Sequence, residues 1–340
     1  MAIYISKDGS GGDGSEGNPY NLSEIGTAET AAASQADRTI IFKNGTYALA
    51  ASLQLQRLVA IYTGMIYEAE TTGGVIFDFG NTYGIAVGDV GTVGNTTPAG
   101  GFTGTVYIRG IHFKHPKATG GNLGGGYAAW KACVNLLHDV NVSVSTGMIH
   151  LEDCAFTFAN PSNTGDSPIF GSYNSGSMAT AYTLNRCTIT VSGATGGYGI
   201  IFGNPGSAST VRLYNCSTYF TSTFNWGSPS ASGNYVLGSN LQTSRNSSLE
   251  VTNCIFQISS GSVAYTSPNI GLGPWAWEAG DYLRWKINNI NAHNLFAGDK
   301  TTPLTAFDSK NLTVDDPQFV SPENLDLRLR PDSPLIGTAV

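Results

Sequence analysis

Between residues 106 and 296 one short pattern of apolar and polar positions recurs six times. The copies read VYIRGIHF (106–113), IHLEDCAF (149–156), YTLNRCTI (182–189), VRLYNCST (211–218), LEVTNCIF (249–256) and WKINNINA (285–292). In each, apolar or aromatic residues fall two apart, a two-residue kink follows, and a small or branched apolar residue comes next. Period-two alternation is the signature of a strand with one buried face. The inward pairs are Val106/Ile108, Ile149/Leu151, Tyr182/Leu184, Val211/Leu213, Leu249/Val251 and Trp285/Ile287. The second kink residue is Gly110, Asp153, Arg186, Asn215, Asn253 or Asn289. Gly, Asn and Asp tolerate the left-handed conformation that a tight bend requires. Each copy therefore predicts strand, bend, strand.

After the kink come Ile111, Cys154, Cys187, Cys216, Cys254 and Ile290, at intervals of 29 to 43 residues. Self-similarity at such a period marks a solenoid, and a unit made mostly of strand marks a β-helix. Coils stacked at about 4.8 Å place like residues over like. An antiparallel sandwich also alternates, but gives no reason for four of the five cysteines to share one register. Uneven spacing predicts loops that bulge from the column.

The flanks predict caps, and the chain reads as one structural domain in three parts. Residues 1–60 hold an N-terminal cap and first coil, 61–300 the coils, and 301–340 a closing segment. Near the start, Ser23 stands before EIGTAETAAASQADR as an N-cap for a helix over the open end. TIIFKNGTYAL (39–49) reads as strand, turn, strand. The last residues, Pro-punctuated and charge-rich, predict a short irregular C-terminal cap.

Composition narrows the class. The chain has 340 residues, 41% apolar and only 12% charged, with 43 glycines. A weakly charged, polar surface suits hydroxyl-rich partners or packing against other protein. The net charge of −7 argues against nucleic acid as a partner. No apolar run reaches the ~20 residues of a membrane-spanning helix. Cysteines stacked at one inward position point the same way, so free thiols are expected, as in a reducing cytosol. MAIYISKDGS has no basic region followed by a long apolar one, so no signal peptide is expected.

Candidate chemistry is sparse. Between residues 155 and 277 only Asp166, Arg186, Arg212, Arg245 and Glu250 are charged. Glu152 and Asp153 share one bend and read as an acid pair or as solvated bend residues. Lys114-His115 reads as a base with an assistant, or as a polar edge before Pro116. His112, His138, His150 and His293 are isolated in sequence and read as structural. Asp8, Ser10 and Asp13 lie at a spacing loosely like a Ca²⁺ loop but lack a closing acid; the alternative is a Gly-rich turn. No metal and no cofactor are expected. Aromatics are the stronger lead: Trp275, Trp277, Tyr265 and Trp226, with Tyr219 and Tyr173 nearby. They stack on sugar rings, anchor a protein interface, or fold back over the column.

YISKDGSGGDGSEGNPY (4–20) followed by TIIFKNGTY (39–47), repeats such as VTNCIF, and the ending DPQFVSPENLDLRLRPDSPLIG (316–337) resemble right-handed parallel β-helix proteins of the pectate-lyase-like superfamily. The resemblance spans the chain. It implies a single-stranded right-handed parallel β-helix with stacked Asn bends, to which Asn215, Asn253 and Asn289 belong. It leaves function open, because that superfamily includes polysaccharide lyases, glycoside hydrolases, adhesins, and phage spike and capsid-surface proteins. The Asn-Thr-Asp, Gly-His-Gly and Arg-Ile-Lys signatures of its hydrolases are absent here. The expectation is a phage virion protein, a capsid decoration protein or small spike. Its expected partners are other capsid proteins and two further copies in a homotrimer. A secreted polysaccharide lyase or glycoside hydrolase is the alternative, and a non-catalytic glycan-binding adhesin the third reading.

Overall fold

The computed structural model describes residues 1–48, 56–58, 64–80, 85–87, 104–115, 134–136, 148–159, 169–173, 181–192, 201–204, 210–220, 248–258, 285–293, 309–313, 315–324 and 326–337. The chain opens with β1 (Ile3–Ser6), a two-residue β2 (Tyr20–Asn21), a 3-10 turn (Leu22–Glu24) and α1 (Ile25–Ala33). The early coils supply β3 (Thr39–Phe42), β4 (Gly45–Ala48), β5 (Gln56–Leu58), β6 (Met65–Ala69), β7 (Val75–Asp78) and β8 (Ile85–Val87). The middle coils supply β9 (Thr105–Arg109), β10 (Ile111–His115), β11 (Val134–Leu136), β12 (Met148–Glu152), β13 (Ala155–Ala159) and β14 (Ile169–Tyr173). Then follow β15 (Ala181–Asn185), β16 (Thr188–Ser192), β17 (Ile201–Asn204), β18 (Thr210–Tyr214), β19 (Ser217–Phe220), β20 (Ser248–Ile258), β21 (Trp285–His293) and β22 (Ser309–Thr313). Two short strands, β23 (Phe319–Ser321) and β24 (Asp326–Leu329), close the chain.

Pairing sorts β1 and β3 to β22 into three parallel ladders, the faces of a right-handed parallel β-helix. The first runs β1, β3, β6, β9, β12, β15, β18, β20, β21, β22. The second runs β4, β7, β10, β13, β16, β19 and then the latter half of β20. The third runs β5, β8, β11, β14, β17. Strands β20 and β21 continue through the bend and join the first two ladders into one sheet.

Register turns the alternation into columns. Ile3, Ile40, Tyr67, Ile108, Leu151, Leu184, Leu213 and Val251 are partners in succession along the first ladder, and all are buried. In the second ladder Tyr47, Phe77, Phe113, Phe156, Ile189, Thr218 and Phe256 form the matching column. Phe113 stacks on Phe156 with ring centroids 5.2 Å apart. Burying one such side chain stabilises the fold by about 1.5–3 kcal/mol, so each coil gains from the one beneath it. Thr218 is the polar exception, and its hydroxyl donates to the Ile255 carbonyl at 3.1 Å.

The bend between the first two ladders repeats one backbone device. Gly110, Asp153, Arg186, Asn215 and Asn253 have φ of 68°, 53°, 52°, 54° and 54°. The left-handed turn aims each amide up the column: Gly110 donates to Glu152, Asp153 to Asn185, Arg186 to Tyr214 and Asn215 to Thr252, at 2.9–3.0 Å. Any Cβ at Gly110 would come within 3.2 Å of the Thr72 backbone, which together with its φ reserves the position for glycine. Side-chain amides add a second file, Asn253 to Asn215 and Asn215 to Asn185, each at 3.2 Å. Asn289 lies in β21 between the paired positions Asn288 and Ile290.

Next to four of these bends stands a thiol. Cys154, Cys187, Cys216 and Cys254 are free and buried. Each points at the carbonyl two residues back and at one in the coil beneath, as Cys187 does at Asn185 and Leu151, both 3.5 Å away. Burial pushes the Cys187 and Cys254 thiols well above their ordinary range.

At the N-terminal end α1 buries Ile25, Ala28 and Ala32 against the first coils. Ser23 does not cap α1: the residue before the helix is Glu24, which makes no side-chain cap bond, and Asn21 caps the 3-10 turn ahead of it. Asn21 Oδ1 accepts from Ser23 N at 2.9 Å while Glu24 Oε2 accepts from Asn21 N at 2.8 Å. This reciprocal box starts the 3-10 turn, so the helical run begins earlier than a serine cap implies.

The closing segment contains regular structure. Strands β23 and β24 pair antiparallel, and Phe319 and Leu327 pack with Tyr219 on the flank of the second ladder.

Candidate functional site: the outer face of the two joined ladders

Outward residues of the first ladder line up in two files. One file reads Ile66, Tyr107, His150, Thr183, Arg212, Glu250; the other reads Glu68, Arg109, Glu152, Asn185, Tyr214, Thr252. Strand spacing brings every side chain within reach of its neighbour one coil away. Tyr107 and His150 stack with centroids 5.0 Å apart and planes 15° off parallel. The Arg109 guanidinium lies 5.4 Å from the Tyr107 ring centroid. Burial and the nearby Arg212 hold the His150 pKa below its usual value, so the ring is neutral at neutral pH.

Most of the charges meet one another, although Glu68 forms no ion pair among the described residues. Arg109 Nε lies 3.2 Å from Glu152 Oε2, and Arg186 reaches Glu152 at 2.8 Å and Asp153 at 2.7 and 2.8 Å. Donating hydrogen bonds to Asp153 and Glu152 raises the Arg186 pKa and keeps it a cation. This bidentate contact fixes an arginine in a left-handed bend position that suits glycine or asparagine better. Arg212 faces Glu250 at 3.6 Å. Tyr214 has its pKa raised by burial and by its bond to Glu250, so it stays a neutral phenol.

The second ladder carries a smaller cluster. Lys114 Nζ lies 3.0 Å from Asp78 Oδ2. His112 Nε2 lies 2.8 Å from Thr157 Oγ1, and burial with the neighbouring Lys114 lowers the His112 pKa. A neutral imidazole on a hydroxyl has the outline of a base and nucleophile. Here both sit mid-strand, in register with β7, β10 and β13, where backbone amides are committed to the ladders. No amide there is left to stabilise an oxyanion.

Glycoside cleavage needs one carboxylic acid and one carboxylate, and β-elimination needs an uncharged base. On this face Asp78, Glu152, Asp153 and Glu250 each stand against a cation. Lys114 is engaged with Asp78 in the same way. The stacked Tyr107 and His150 present ring edges outward, because their faces are turned to each other. A sugar ring stacks on a face.

Other sequence candidates fall apart in space. Lys114 and His115 point to opposite sides of β10, and His115 is buried between Phe79 and Phe158, at 6.0 and 5.4 Å between ring centroids. Asp8 binds Lys7 at 2.6 Å, and Asp13 accepts from Ser15 N at 2.9 Å in a local turn. Among the described residues no group of His, Cys, Asp and Glu is arranged to hold a metal ion. Trp275, Trp277, Tyr265 and Trp226 lie outside the described residues, as do Asp166 and His138. The Tyr107–His150 stack and the Arg109–Glu152 pair were readable in principle. They occupy equivalent outward positions of consecutive copies, whereas the apolar alternation singles out the inward ones.

No protein-family model matches the chain, and no curated protein matches it. Among solved structures, pectin methylesterase PemA from Erwinia chrysanthemi aligns at 12% identity over 92% of this chain and 90% of its own, with a TM-score of 0.48. Pectate lyase Pel9A aligns at 14% identity over 98% and 90%, with a TM-score of 0.46. PfbA, a surface adhesin of Streptococcus pneumoniae, aligns at 9% identity over 81% and 78%, with a TM-score of 0.39. None of the three informs the chemistry of this chain.

Proposed function

We propose that this chain is a structural rod on the surface of a phage particle, acting as capsid decoration or as a small spike. The observation that carries this reading is the use made of the outer polar groups. Glu152, Asp153, Arg109 and Arg186 tie one coil to the next, as do Arg212 with Glu250 and Lys114 with Asp78. Groups committed to holding neighbouring coils in register stiffen a column and leave little for turnover. The reduced thiol file fits a chain that folds in a reducing cytosol before assembly. Its partners are shell proteins and further copies of itself, in a homotrimer. The test is quantitative mass spectrometry of purified particles from the source. A fixed ratio of this chain to the major shell protein, matching capsid symmetry, is expected; absence from particles with accumulation in the medium would overturn the reading.

Contact with a glycan is the second reading. Thr183, Asn185, Arg212, Tyr214 and Thr252 place hydroxyl, amide and guanidinium groups at regular sheet spacing along one face. Such a row suits hydrogen bonding to an extended chain of hydroxyls. A glycan array probed with the purified chain tests it, with binding that weakens on Arg212→Ala as the supporting result.

A further inference from the structure

Residues 315–324 and 326–337 form a small ordered unit beside the column. Phe319 pairs with Leu329 and Ser321 with Asp326 across the hairpin. Further bonds close the unit on itself: Arg330 N to the Gln318 carbonyl at 2.9 Å, Ser333 Oγ to the Pro317 carbonyl at 2.7 Å, and Gln318 N to Asp316 Oδ1 at 2.9 Å. Its solvent side carries the Arg328–Asp326 and Arg330–Asp332 pairs. Its inner side is apolar, and Phe319 and Leu327 meet Tyr219, with Ile255 and Leu329 packed around them.

Tyr219 lies between the inward residues Thr218 and Phe220, so it points out of the column. It is nonetheless only 9% exposed. This cluster is distinct from the main core, and the sheet lies between the two. The tether is short: β22 ends at Thr313 and β23 begins at Phe319. Because β22 stacks on β21 and β21 on β20, the segment folds back over the last coils to reach β19 and β20.

We infer that residues 315–337 are a strap that opens and closes as one body on the flank of the column, independently of column unfolding. The bonds named above lie within the strap and survive its release. Release loses the apolar contact with Tyr219 and Ile255, while every register between coils stays in place. A unit attached in this way opens at a lower free energy than the whole fold. Opening bares Tyr219 and Ile255 beside the last coils, and closing covers them.

The test uses the full chain and a thiol reagent, with labelling read at each position by peptide mass. Cys154, Cys187, Cys216 and Cys254 are buried in the column and serve as the internal clock for its unfolding. Leu327→Cys reports strap release and is expected to label well ahead of those four thiols. Adding Tyr219→Ala speeds that labelling at least about tenfold, as loss of a buried aromatic contact predicts, without speeding the four. Phe319→Cys, at the other end of the contact, labels at the rate of Leu327→Cys. Labelling of Leu327→Cys in step with the column thiols, or a rate indifferent to Tyr219→Ala, overturns the strap. Widely different rates at positions 319 and 327 mean piecemeal fraying, and overturn the single body.

Discussion

The Tyr67 hydroxyl donates to Glu29 Oε1 across 2.6 Å, joining β6 of the first ladder to the helix that covers the end of the column. Both residues are buried. A carboxylate turned into a core needs donors, and this bond supplies one from the coil stack itself. Tyr67→Phe removes the donor while preserving the ring. We expect a loss of about 1.5–3 kcal/mol, the range for a buried bond to a charged group, read as a lower urea midpoint. Glu29→Gln keeps an acceptor in place and costs less. A Tyr67→Phe protein as stable as the parent would mean that the helix is held by Ile25, Ala28 and Ala32 alone.

Stability falls on the alkaline side for a defined reason. Burial raises the pKa of Tyr47, Tyr67, Cys187 and Cys254 above their ordinary values. Each therefore binds its proton more tightly folded than unfolded. The stability this represents is fully present below the unfolded values, about 8.5 for a thiol and about 10 for a phenol, and is lost as pH climbs from there toward the folded values. Urea midpoints measured across this range should decline, and Tyr67→Phe should flatten the decline above about pH 10.

On the acid side the signs reverse. His112 and His150 have lowered pKa values, so the unfolded chain binds their protons more readily. Their share of stability is present above about pH 6.5 and is lost as pH falls through the folded values. Histidine proton shifts followed by NMR should show both rings neutral at pH 7; a ring charged there contradicts the packing described.

The left-handed bends make a sharper prediction. Asn215 has φ of 54° and accepts from Asn253 while donating to Asn185. Asn215→Gly keeps the conformation accessible and should change stability little. Asn215→Val forces a β-branched residue into the left-handed region, at a cost of about 1–2 kcal/mol from that geometry alone. Equal effects of the two substitutions on the urea midpoint would show that the turn is not the constraint.

The coil architecture was legible because period-two alternation and stacking reinforce each other. Ile108, Leu151, Leu184, Leu213 and Val251 announce the inward file, and the residue after each kink announces the bend. Other features depend on neighbours remote in sequence. The Arg186 contact with Glu152 and Asp153 spans more than thirty positions and follows from coil spacing, which uneven loops conceal. The strap was hidden by its own logic. Tyr219 and Ile255 are apolar at outward positions, which in a single sequence looks like noise in the alternation. A Ser23 cap lies one residue off the start of α1 at Ile25, because a 3-10 turn capped by Asn21 precedes the helix and its capping box spans Asn21 to Glu24.

The thiol file should be chemically silent in the folded chain. Cys216→Ala removes one buried sulfur from a close-packed row, and a loss of about 1 kcal/mol is expected from transfer and cavity terms of that size. Native labelling should modify none of Cys154, Cys187, Cys216 or Cys254 until the column unfolds. Rapid labelling of any one of them would place it outside the core.

The assignment as an inert scaffold is tested most directly by incubating the purified full chain with a panel of neutral and anionic polysaccharides and following new reducing ends and unsaturated products. The ion-paired faces predict no product above the blank at any pH between about 5 and 9, the span over which enzymic carboxylates and bases are tuned. Sustained product formation that copurifies with the chain would contradict the account.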